Sequence, residues 1–538
     1  MQYLRGSVRK SAALMSCSLC LLGSCGSKER ADVFEPGNAS EEDKFSVQVI
    51  PNPDVPHDRI PSALESFTEG PCKTLVPGFV TQCGVVLVPE SPGSDATIEL
   101  AITRVFTDSA NPLPEPVVYL DGGPGVGSLG NVEWLFEAFS KAAPDRDFIF
   151  VDQRGIGETR PKLSCSEGGS VEKALTGCFE RLSQKVDLNE YNSKNNATDF
   201  DLVREALGYE KWNLLGISYG TRLALTIMRD HPEGVRAVLI DAVVPLQVDV
   251  LGEVGKSGYR AFRETFAACT EDPDCASAYP DPESQLLTVV QALQDEPQAL
   301  DLFIDGEVFA NFLFQLMYSP FGVEIVPLLI DQAANEDFEF FERLATATGE
   351  AEATSQFSFA MHLSLQCKEE IPFSSAAEYD AFDAEVPQAL RAVLTGNEYL
   401  EFCEYWAVDP ADAIENEPVE SDIPTLVIAG RFDPITPPAF AEAAAASLSN
   451  SQYVYIENES HGASGSPCAS MMISQFFNAP GEDVSTACLS ELSALDWEIQ
   501  SWRTDLNLPR ARQIHMRTTE PSDSEIERLS EDLRRRRL

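Results

Sequence analysis

The chain has 538 residues, of which 43% are hydrophobic and 23% are charged. This composition is typical of a folded globular protein and excludes a chain that is disordered throughout. Lys and Arg together number 39 against 86 Asp and Glu, which gives a formal net charge of −47. A surface with that excess of negative charge repels nucleic-acid phosphates, so we expect no nucleic-acid partner.

Residues 1–25 have the pattern of an export signal, because three basic residues within the first ten precede a mostly apolar stretch. That stretch is too short to span a bilayer stably. It ends at Cys25 in the sequence L-G-S-C, which resembles a bacterial lipobox, where the cysteine carries lipid. The alternative is an ordinary cleaved signal with an incidental cysteine. We therefore expect an exported protein, either a periplasmic or cell-surface lipoprotein anchored to the membrane through Cys25 or a secreted one.

The cysteine count supports export independently. Removing Cys17 and Cys20 with the signal, and assigning Cys25 to lipid, leaves ten of the thirteen cysteines, an even number. The ten fall as sequence neighbours and predict five local disulfides, as expected in an oxidising compartment. The C-x-x-C sequence lies inside the signal, so no metal site is predicted. The expected pairs are Cys72 with Cys83, Cys165 with Cys178, Cys269 with Cys275, Cys367 with Cys403, and Cys468 with Cys488.

After the signal, residues 26–70 are polar and lack apolar periodicity, which predicts a flexible tether. From residue 71 to 245, short apolar runs alternate with helical patterns. This alternation predicts a mostly parallel sheet with helices on both faces. Predicted strands are 85–88, 98–105, 117–120, 148–151, 212–217 and 238–240, and predicted helices are 199–207 and 221–229.

The pattern changes to helices over 246–418, for example 323–334, and we refer to 246–418 as the insertion. It holds 34 Asp and Glu against 6 Lys and Arg, a net charge of −28, and most of these carboxylates are expected to be solvated. The strand pattern returns in 419–502, at 425–429 and 453–456. The polar tail, 503–538, ends in four arginines and a leucine and is expected to be a solvated helix.

The strongest chemical signal is a G-x-S-x-G sequence, residues 216–220, which follows a predicted strand and precedes a predicted helix. We call these five residues the elbow. A sharp turn between strand and helix strains the central serine and presents its hydroxyl at the carboxyl edge of the sheet. Ser218 is therefore the predicted nucleophile, and a hydroxyl needs a base to take its proton.

His461 is the predicted base, because it follows a late strand and lies in a short loop, residues 458–462, which we call the histidine loop. Asp433 is the predicted orienting acid. It ends an earlier strand and lies between serine and histidine in the chain, as in this kind of sheet. An N-cap or turn aspartate is the alternative. The other histidines lie in the tether, after the nucleophile's helix, in the insertion and in the tail: His57, His231, His362 and His515.

A glycine-rich turn, residues 121–125, follows the predicted strand 117–120, and we call it the oxyanion loop. Backbone N–H groups in such a turn stabilise the negative charge that develops on an attacked carbonyl. The N–H groups of Gly123 and of Tyr219 are the expected donors. As a phosphate-binding loop the turn lacks the following Gly-Lys-Ser/Thr, so we discard that interpretation.

Three motifs resemble the prolyl- and tripeptidyl-aminopeptidase branch of the serine α/β-hydrolases. G-G-P-G at 122–125 matches H-G-G-P-G except that Asp121 replaces the usual histidine, and D-Q-R-G-I-G at 152–157 matches D-Q-R-G-x-G. The sequence S-Y-G-T-R at 218–222 is similar to the secreted tripeptidyl-aminopeptidase subgroup. The resemblance covers about residues 71–500 and implies an α/β-hydrolase fold with a large helical cap.

The resemblance implies removal of residues or short peptides from free N-termini through an acyl-enzyme, with no cofactor or metal. It also implies that cap carboxylates bind the substrate's ammonium group, and Glu369 or Glu370 in C-K-E-E-I-P-F is the candidate. Surface exposure would explain a pair of glutamates equally well. The charge of the insertion is compatible with a cationic substrate.

Two other functions stay open. The same residues hydrolyse carboxylic esters, so an esterase or lipase is the first alternative. A non-catalytic surface lipoprotein that uses the fold for binding is the second. The sequence predicts peptides with free N-termini as partners and predicts no oligomeric state.

Overall fold

The computed structural model describes residues 67–300, 302–352 and 357–499. The predicted export signal with Cys25, most of the tether and the polar tail lie outside these residues. Within the described ranges, no helix combines the length and the apolar character needed to cross a membrane.

A nine-stranded sheet forms the centre of the molecule, in the order β1-β2-β3-β5-β4-β6-β7-β10-β11. From β5 to β11 all neighbours are parallel, whereas β1, β2, β3 and β5 pair antiparallel. The predicted mostly parallel sheet is confirmed. The strands are β1 Phe67–Gly70, β2 Thr81–Pro89, β3 Thr97–Val105, β4 Val117–Leu120, β5 Phe148–Val151, β6 Trp212–Ile217, β7 Val235–Asp241, β10 Thr425–Gly430 and β11 Ser451–Ile456, with β8 Gln298–Ala299 and β9 Phe303–Ile304 in a separate hairpin.

One boundary differs from the prediction, because the tether was expected to reach residue 70. Residues 67–70 instead form β1, which pairs antiparallel with β2 and places Phe67 opposite Val86. The segment reads F-T-E-G, and its one large apolar side chain is buried in the core while the next three residues are exposed. Pairing with a neighbouring strand therefore forms this edge strand without an apolar alternation in its sequence.

Helices cover both faces of the sheet. Alternate residues of β4 enter two different apolar clusters, since Val118 packs with α3 and α4 while Val117 packs with α1 and α16. The helices are α1 Val132–Phe139, α2 Val171–Leu182, α3 Ser193–Ala206, α4 Tyr219–Asp230, α5 Val254–Glu271, α6 Pro273–Ala278, α7 Pro282–Asp295, α8 Gly306–Leu316, α9 Pro320–Ala334, α10 Glu339–Glu352, α11 Phe359–Glu369, α12 Ala376–Asp383, α13 Gln388–Arg391, α14 Glu398–Tyr405, α15 Pro438–Ala445 and α16 Pro467–Asn478.

The insertion leaves the sheet after β7 and returns before β10, and these two strands are parallel neighbours. It contains helices α5 to α14. Most of these helices bury apolar side chains in a cluster that is separate from the two clusters beside the sheet. Because the insertion begins beyond the carboxyl end of β7, its helices can cover the carboxyl edge of the strands.

The structure contains the five disulfides expected from the sequence. Four of them close loops whose cysteines are separated by 6 to 20 positions. The fifth, Cys367–Cys403, joins α11 to α14 within the insertion.

The arginine of the D-Q-R-G-I-G motif joins the loop after β5 to α3. Arg154 donates from Nε and Nη2 to the two carboxylate oxygens of Asp199, each at 2.8 Å. Its Nη1 also donates to the carbonyl oxygen of Glu90 at 2.9 Å. Both charged side chains are almost completely buried, with 2% and 3% exposed. Since a buried charge depends on its partner, loss of either side chain leaves an uncompensated ion.

We expect Arg154→Met to lower the free energy of unfolding by about 3–5 kcal/mol, because Asp199 would stay buried without its cation. Urea unfolding followed by circular dichroism measures the change. Lys194→Met is the control, since Lys194 and Asp412 form an exposed pair at 3.5 Å, and it should cost at most about 1 kcal/mol. Equal losses in the two variants would contradict the role of the buried pair.

Candidate active site

Ser218 lies in the strained turn between β6 and α4, with φ 57° and ψ −127°. Two glycines allow this turn to pack against its surroundings. A Cβ on Gly220 would lie 2.0 Å from the carbonyl oxygen of Leu120, and one on Gly216 would lie 2.4 Å from the oxygen of Gly220. No side chain fits at those distances. The elbow therefore holds Ser218 at the carboxyl end of β6, at the edge of the sheet that the sequence predicts.

The predicted acid and base form a buried pair. His461 Nδ1 and Asp433 Oδ2 are 2.9 Å apart, with the imidazole and the carboxylate 2% and 0% exposed. Thr436 donates from its hydroxyl to Asp433 Oδ2 and from its backbone N–H to Oδ1. Burial raises the pKa of the Asp433 carboxyl, but His461 and Thr436 outweigh it and hold the pKa below its usual value. Asp433 is therefore an ionised acceptor for His461 Nδ1–H.

The histidine loop adjoins the elbow. Ser218 N–H donates to the carbonyl oxygen of Asp241 at 3.1 Å, and the Asp241 carboxylate accepts from the N–H of Ser464 at 2.6 Å. A Cβ on Gly462 would lie 3.9 Å from the side chain of Ile217. The strands that precede the three predicted residues, β6, β10 and β11, are parallel and lie close together, with β7 between the first two. The structure thus gathers these residues at one edge of the sheet.

The oxyanion loop begins at the end of β4, and Gly123 has φ 108°. Asp121, which stands where the resembled family has histidine, is buried within the loop. Its carboxylate accepts from the N–H of Gly122 at 3.0 Å and from the hydroxyl of Ser128 at 2.8 Å. Burial raises the pKa of Asp121 to about 8. Asp121 holds the loop from inside the core and engages the N–H of Gly122, not that of the predicted donor Gly123.

Tyr219 is the first residue of α4, and N–H groups in the first turn of a helix have no intrahelical partner. Gly123, Ser218 and Tyr219 line a single cavity of about 270 Å³ between the sheet edge and the insertion. The two predicted oxyanion donors therefore belong to the same cavity as the predicted nucleophile.

The rest of the cavity lining combines apolar walls, a group of charged side chains and uncharged polar residues that include His362 and Tyr399. Its apolar residues are Val244, Val250, Leu251, Val254, Phe314, Leu365 and Ile435, and its charged residues are Arg222, Glu369, Glu370 and Glu398. The two glutamates predicted to bind an amine thus line the cavity, with a further one, Glu398, that sequence reasoning missed. Nothing in the local sequence marks Glu398, since it begins a helix in a segment with many acidic residues.

The structure distinguishes Glu369 from Glu370. Glu369 accepts from Arg222 Nε at 3.2 Å and from the Ser193 hydroxyl at 2.6 Å, and Ser193 N–H also donates to it. The charge of Glu369 is therefore compensated by a cation from the elbow's helix. The arginine appeared in the S-Y-G-T-R motif, but sequence reasoning missed its pairing and missed Ser193, which no local signal marks.

Glu370 has a different environment. Its Oε2 accepts from the N–H of Leu251 at 3.3 Å. Burial raises the pKa of Glu370 to about 8, and Asp249 and Glu369 add to the rise, against the lowering effect of Arg222. Burial likewise raises the pKa of Glu398 to about 7. The cavity thus holds two carboxyl groups that would gain from a cation placed beside them.

Among the residues that the structure describes, two groups of side chains away from the cavity have the spacing of metal ligands, with ligand atoms within 4.8 Å of one another. In the first, Cys165 and Cys178 form a disulfide and offer no thiolate. In the second, the Asp201 carboxylate accepts from Arg204 Nε at 2.8 Å, so a guanidinium already compensates its charge. Neither group lines the cavity at Ser218.

Comparison with known families and proteins agrees with this geometry. The model of the alpha/beta hydrolase fold matches residues 115–279, which include the oxyanion loop and the elbow. The model of TAP-like proteins matches residues 392–488, which include Asp433 and His461. The described sheet and the first of these matches agree on an α/β-hydrolase fold. The segment that carries Asp433 and His461 is similar to TAP-like proteins.

Three relatives are named peptidases. A tripeptidyl aminopeptidase of Streptomyces coelicolor is 31% identical over 30% of this chain and 35% of its own length. Serine protease Hip1 of Mycobacterium tuberculosis is 22% identical over 66% of this chain and 76% of its own length. A proline iminopeptidase of Neisseria meningitidis is 29% identical over 28% and 40%. The match to the tripeptidyl aminopeptidase thus spans about a third of that protein.

The raised pKa of Glu370 predicts a pH dependence of stability. The folded state keeps this proton up to about pH 8, whereas the ordinary value for glutamate is 4.5. Between pH 4.5 and about pH 8, folding is therefore accompanied by uptake of a proton. The free energy of unfolding of the wild-type protein falls as the pH rises through this range. Glu370→Gln cannot titrate, so we expect its stability relative to wild type to rise, by at most about 1.4 kcal/mol per pH unit.

Urea unfolding at several pH values between about 5 and 8 measures this difference. Glu404→Gln, at an exposed position of α14, is the matched control. If the Glu370→Gln and wild-type profiles run parallel across this window, the side chain does not carry the proton.

Proposed function

We propose that the protein is an exported serine aminopeptidase that releases residues or short peptides from free N-termini through an acyl-enzyme. The observation that carries this proposal is the cavity at Ser218, because it joins the predicted nucleophile and oxyanion donors to partly uncompensated buried carboxyl groups. The nucleophile makes it a site for acyl transfer, and the carboxyl groups favour a substrate with a positive end. The peptidase names of the relatives support the same reaction class.

In the proposed reaction, His461 takes the proton of the Ser218 hydroxyl as the serine oxygen attacks the scissile carbonyl. The ionised carboxylate of Asp433 holds His461 Nδ1–H and stabilises the imidazolium. The N–H groups of Gly123 and Tyr219 donate to the oxyanion. Collapse of the tetrahedral intermediate breaks the C–N bond, and His461 protonates the leaving amine. Water then attacks the acyl-enzyme by the same steps and releases the N-terminal fragment.

Glu370 is the proposed anchor for the substrate's ammonium group, and Glu398 supports it. Glu369 is less suited, because Arg222 already compensates its charge. Burial disfavours the ionised form of the Glu370 carboxyl group. An ammonium ion beside it would stabilise that form. Glu369 instead connects the insertion to α3 and α4 through Ser193 and Arg222. The insertion, 246–418, then acts as the cap that selects substrates.

Export is part of the proposal. The signal pattern of residues 1–25 and the lipobox-like sequence at Cys25 support a lipoprotein of the periplasm or cell surface. The five disulfides fit an oxidising compartment. Peptides with free N-termini are the proposed substrates in that compartment. Esters are the alternative substrates, since the same nucleophile would cleave them.

We expect a fluorophosphonate probe to label wild-type protein at Ser218 and to leave Ser218→Ala unlabelled. Asp433→Asn should be labelled far more slowly, because the amide no longer holds His461 in the required tautomer, and a loss of about 10⁴ in turnover is expected from such a change. Gel fluorescence and peptide mass spectrometry measure the labelling. A folded wild-type protein that takes up no probe would contradict the enzyme assignment.

We expect acetylation of the substrate's N-terminus to lower kcat/KM by about 100-fold, roughly the loss of one desolvated ion pair. Glu370→Gln should lower kcat/KM for the free-amine peptide but leave that for the acetylated peptide nearly unchanged. Glu404→Gln is the control and should behave as wild type. Hydrolysis of matched fluorogenic peptides measures the rates. Equal rates for free and blocked substrates would favour the esterase alternative and reject the amine anchor.

A further inference from the structure

The insertion contacts the oxyanion loop through the first turn of α11. His362 Nδ1 lies 3.0 Å from the carbonyl oxygen of Pro124, and Ser358 N–H donates to the carbonyl oxygen of Gly125 at 2.8 Å. The contact is close, because a Cβ on Gly125 would lie 2.7 Å from the carbonyl oxygen of Ser358. Two consecutive carbonyl groups of the oxyanion loop are therefore held by one helix end of the insertion.

The hydrogen bonds determine where the proton of His362 resides. The carbonyl oxygen of Pro124 can only accept, so Nδ1 must carry the proton. His362 Nε2 lies 2.8 Å from the hydroxyl of Tyr399. In a neutral imidazole Nε2 is then an acceptor, and Tyr399 donates to it. Tyr399, His362 and Pro124 thus form a chain of two hydrogen bonds that both run in the same direction, from Tyr399 through His362 to the carbonyl oxygen of Pro124.

The surroundings of His362 keep it in this neutral form. The side chain is buried, and the rings of Phe357, Phe359 and Tyr399 lie 5.6, 6.1 and 5.5 Å from its own. Burial lowers the pKa of His362 to about 4, although the hydrogen bond to Pro124 opposes the change. At neutral pH the ring is therefore uncharged, with Nδ1–H directed to the loop.

Hydrogen bonds on both sides of Gly123 restrain the oxyanion loop, whose predicted donor is the N–H of this residue. On one side of Gly123, the Asp121 carboxylate holds the N–H of Gly122. On the other side, His362 holds the carbonyl group of Pro124. Gly123 itself has φ 108°, and glycine adopts positive and negative φ about equally readily, so the groups on either side help to set its conformation. The direction of the Gly123 N–H thus depends on both restraints.

We propose that His362 is a positioning residue, which holds the oxyanion loop through its Nδ1–H so that the Gly123 N–H points at the developing oxyanion. This inference takes the identity of the substrate from the proposed function. The reactivity of Ser218 toward a probe tests it independently of that function. His362 lines the cavity, but its two ring nitrogens contact Pro124 and Tyr399. We therefore expect its loss to act through the loop and to change kcat rather than KM.

Substitution of His362 by asparagine or by glutamine tests the two ring nitrogens one at a time. The side-chain amide of asparagine reaches the place of Nδ1, whereas that of glutamine reaches the place of Nε2. We expect His362→Gln and His362→Ala to lower kcat about 10- to 100-fold with KM nearly unchanged, as for a misplaced oxyanion donor. His362→Asn should recover kcat to within about 3-fold of wild type, because it still donates to Pro124.

The readouts are kcat and KM for a free-amine peptide and the second-order rate constant of labelling at Ser218 by a fluorophosphonate. Thermal unfolding midpoints show whether each variant is folded, and Tyr399→Phe replaces His362→Gln if that variant does not fold. It removes the donor to Nε2 and should lower kcat by about 3-fold, an estimate for one modest hydrogen bond.

Equal losses in His362→Asn and His362→Gln, or a change confined to KM, would overturn the proposal. If wild-type protein cleaves no peptide but is labelled at Ser218, the proposed function fails while the labelling rates still test His362. A recovery by asparagine in those rates would support the positioning role by itself.

Discussion

The sharp turn at Ser218 is the constraint on which the site depends. A serine with φ 57° is strained, and it persists because β6, α4 and the end of β4 over-determine it. Gly220 lies so close to the oxygen of Leu120 that no side chain fits between the elbow and the end of β4. The nucleophile and the loop that would stabilise its product are therefore parts of one packed unit, formed where two parallel strands end side by side.

Charge in the insertion has two separate physical roles. Most of its 34 acidic residues are expected to be solvated and contribute a diffuse negative potential. A few are buried at the cavity, and there the partner of each carboxyl group decides its chemistry. Arg222 compensates the negative charge of Glu369, and this ion pair connects the insertion to α4 beside the sheet. Within the described ranges Glu370 forms no ion pair, and burial raises its pKa to about 8 against the lowering effect of Arg222. Adjacent residues in the chain thus have different electrostatic environments.

The insertion meets the rest of the molecule at two points around the cavity, since Glu369 reaches α3 and α4 and His362 reaches the oxyanion loop. Within the insertion, Glu370 accepts from Leu251. All three side chains come from α11 or the residue that follows it. A single short helix therefore links the proposed amine anchor to the proposed oxyanion hole. The Cys367–Cys403 disulfide ties the same helix to α14, which carries Glu398 and Tyr399.

Strands 117–120, 148–151 and 212–217 were predictable because buried parallel strands form continuous apolar runs, and their observed limits agree. The elbow was predictable because it is formed where such a strand ends, and the places of Asp433 and His461 because they lie in the loops after β10 and β11. The five disulfides were predictable because the cysteines fall as close neighbours. Strand β1 was missed, since its pairing and not its own sequence forms it. His362 was set aside as one more residue of the insertion. The sequence by itself thus determined the sheet and the residues at its edge, through local periodicity and turns. Only the tertiary structure decided which glutamate meets Arg222, 147 positions away, and which histidine reaches Pro124, 238 positions away, because contacts between distant segments depend on how the helices pack.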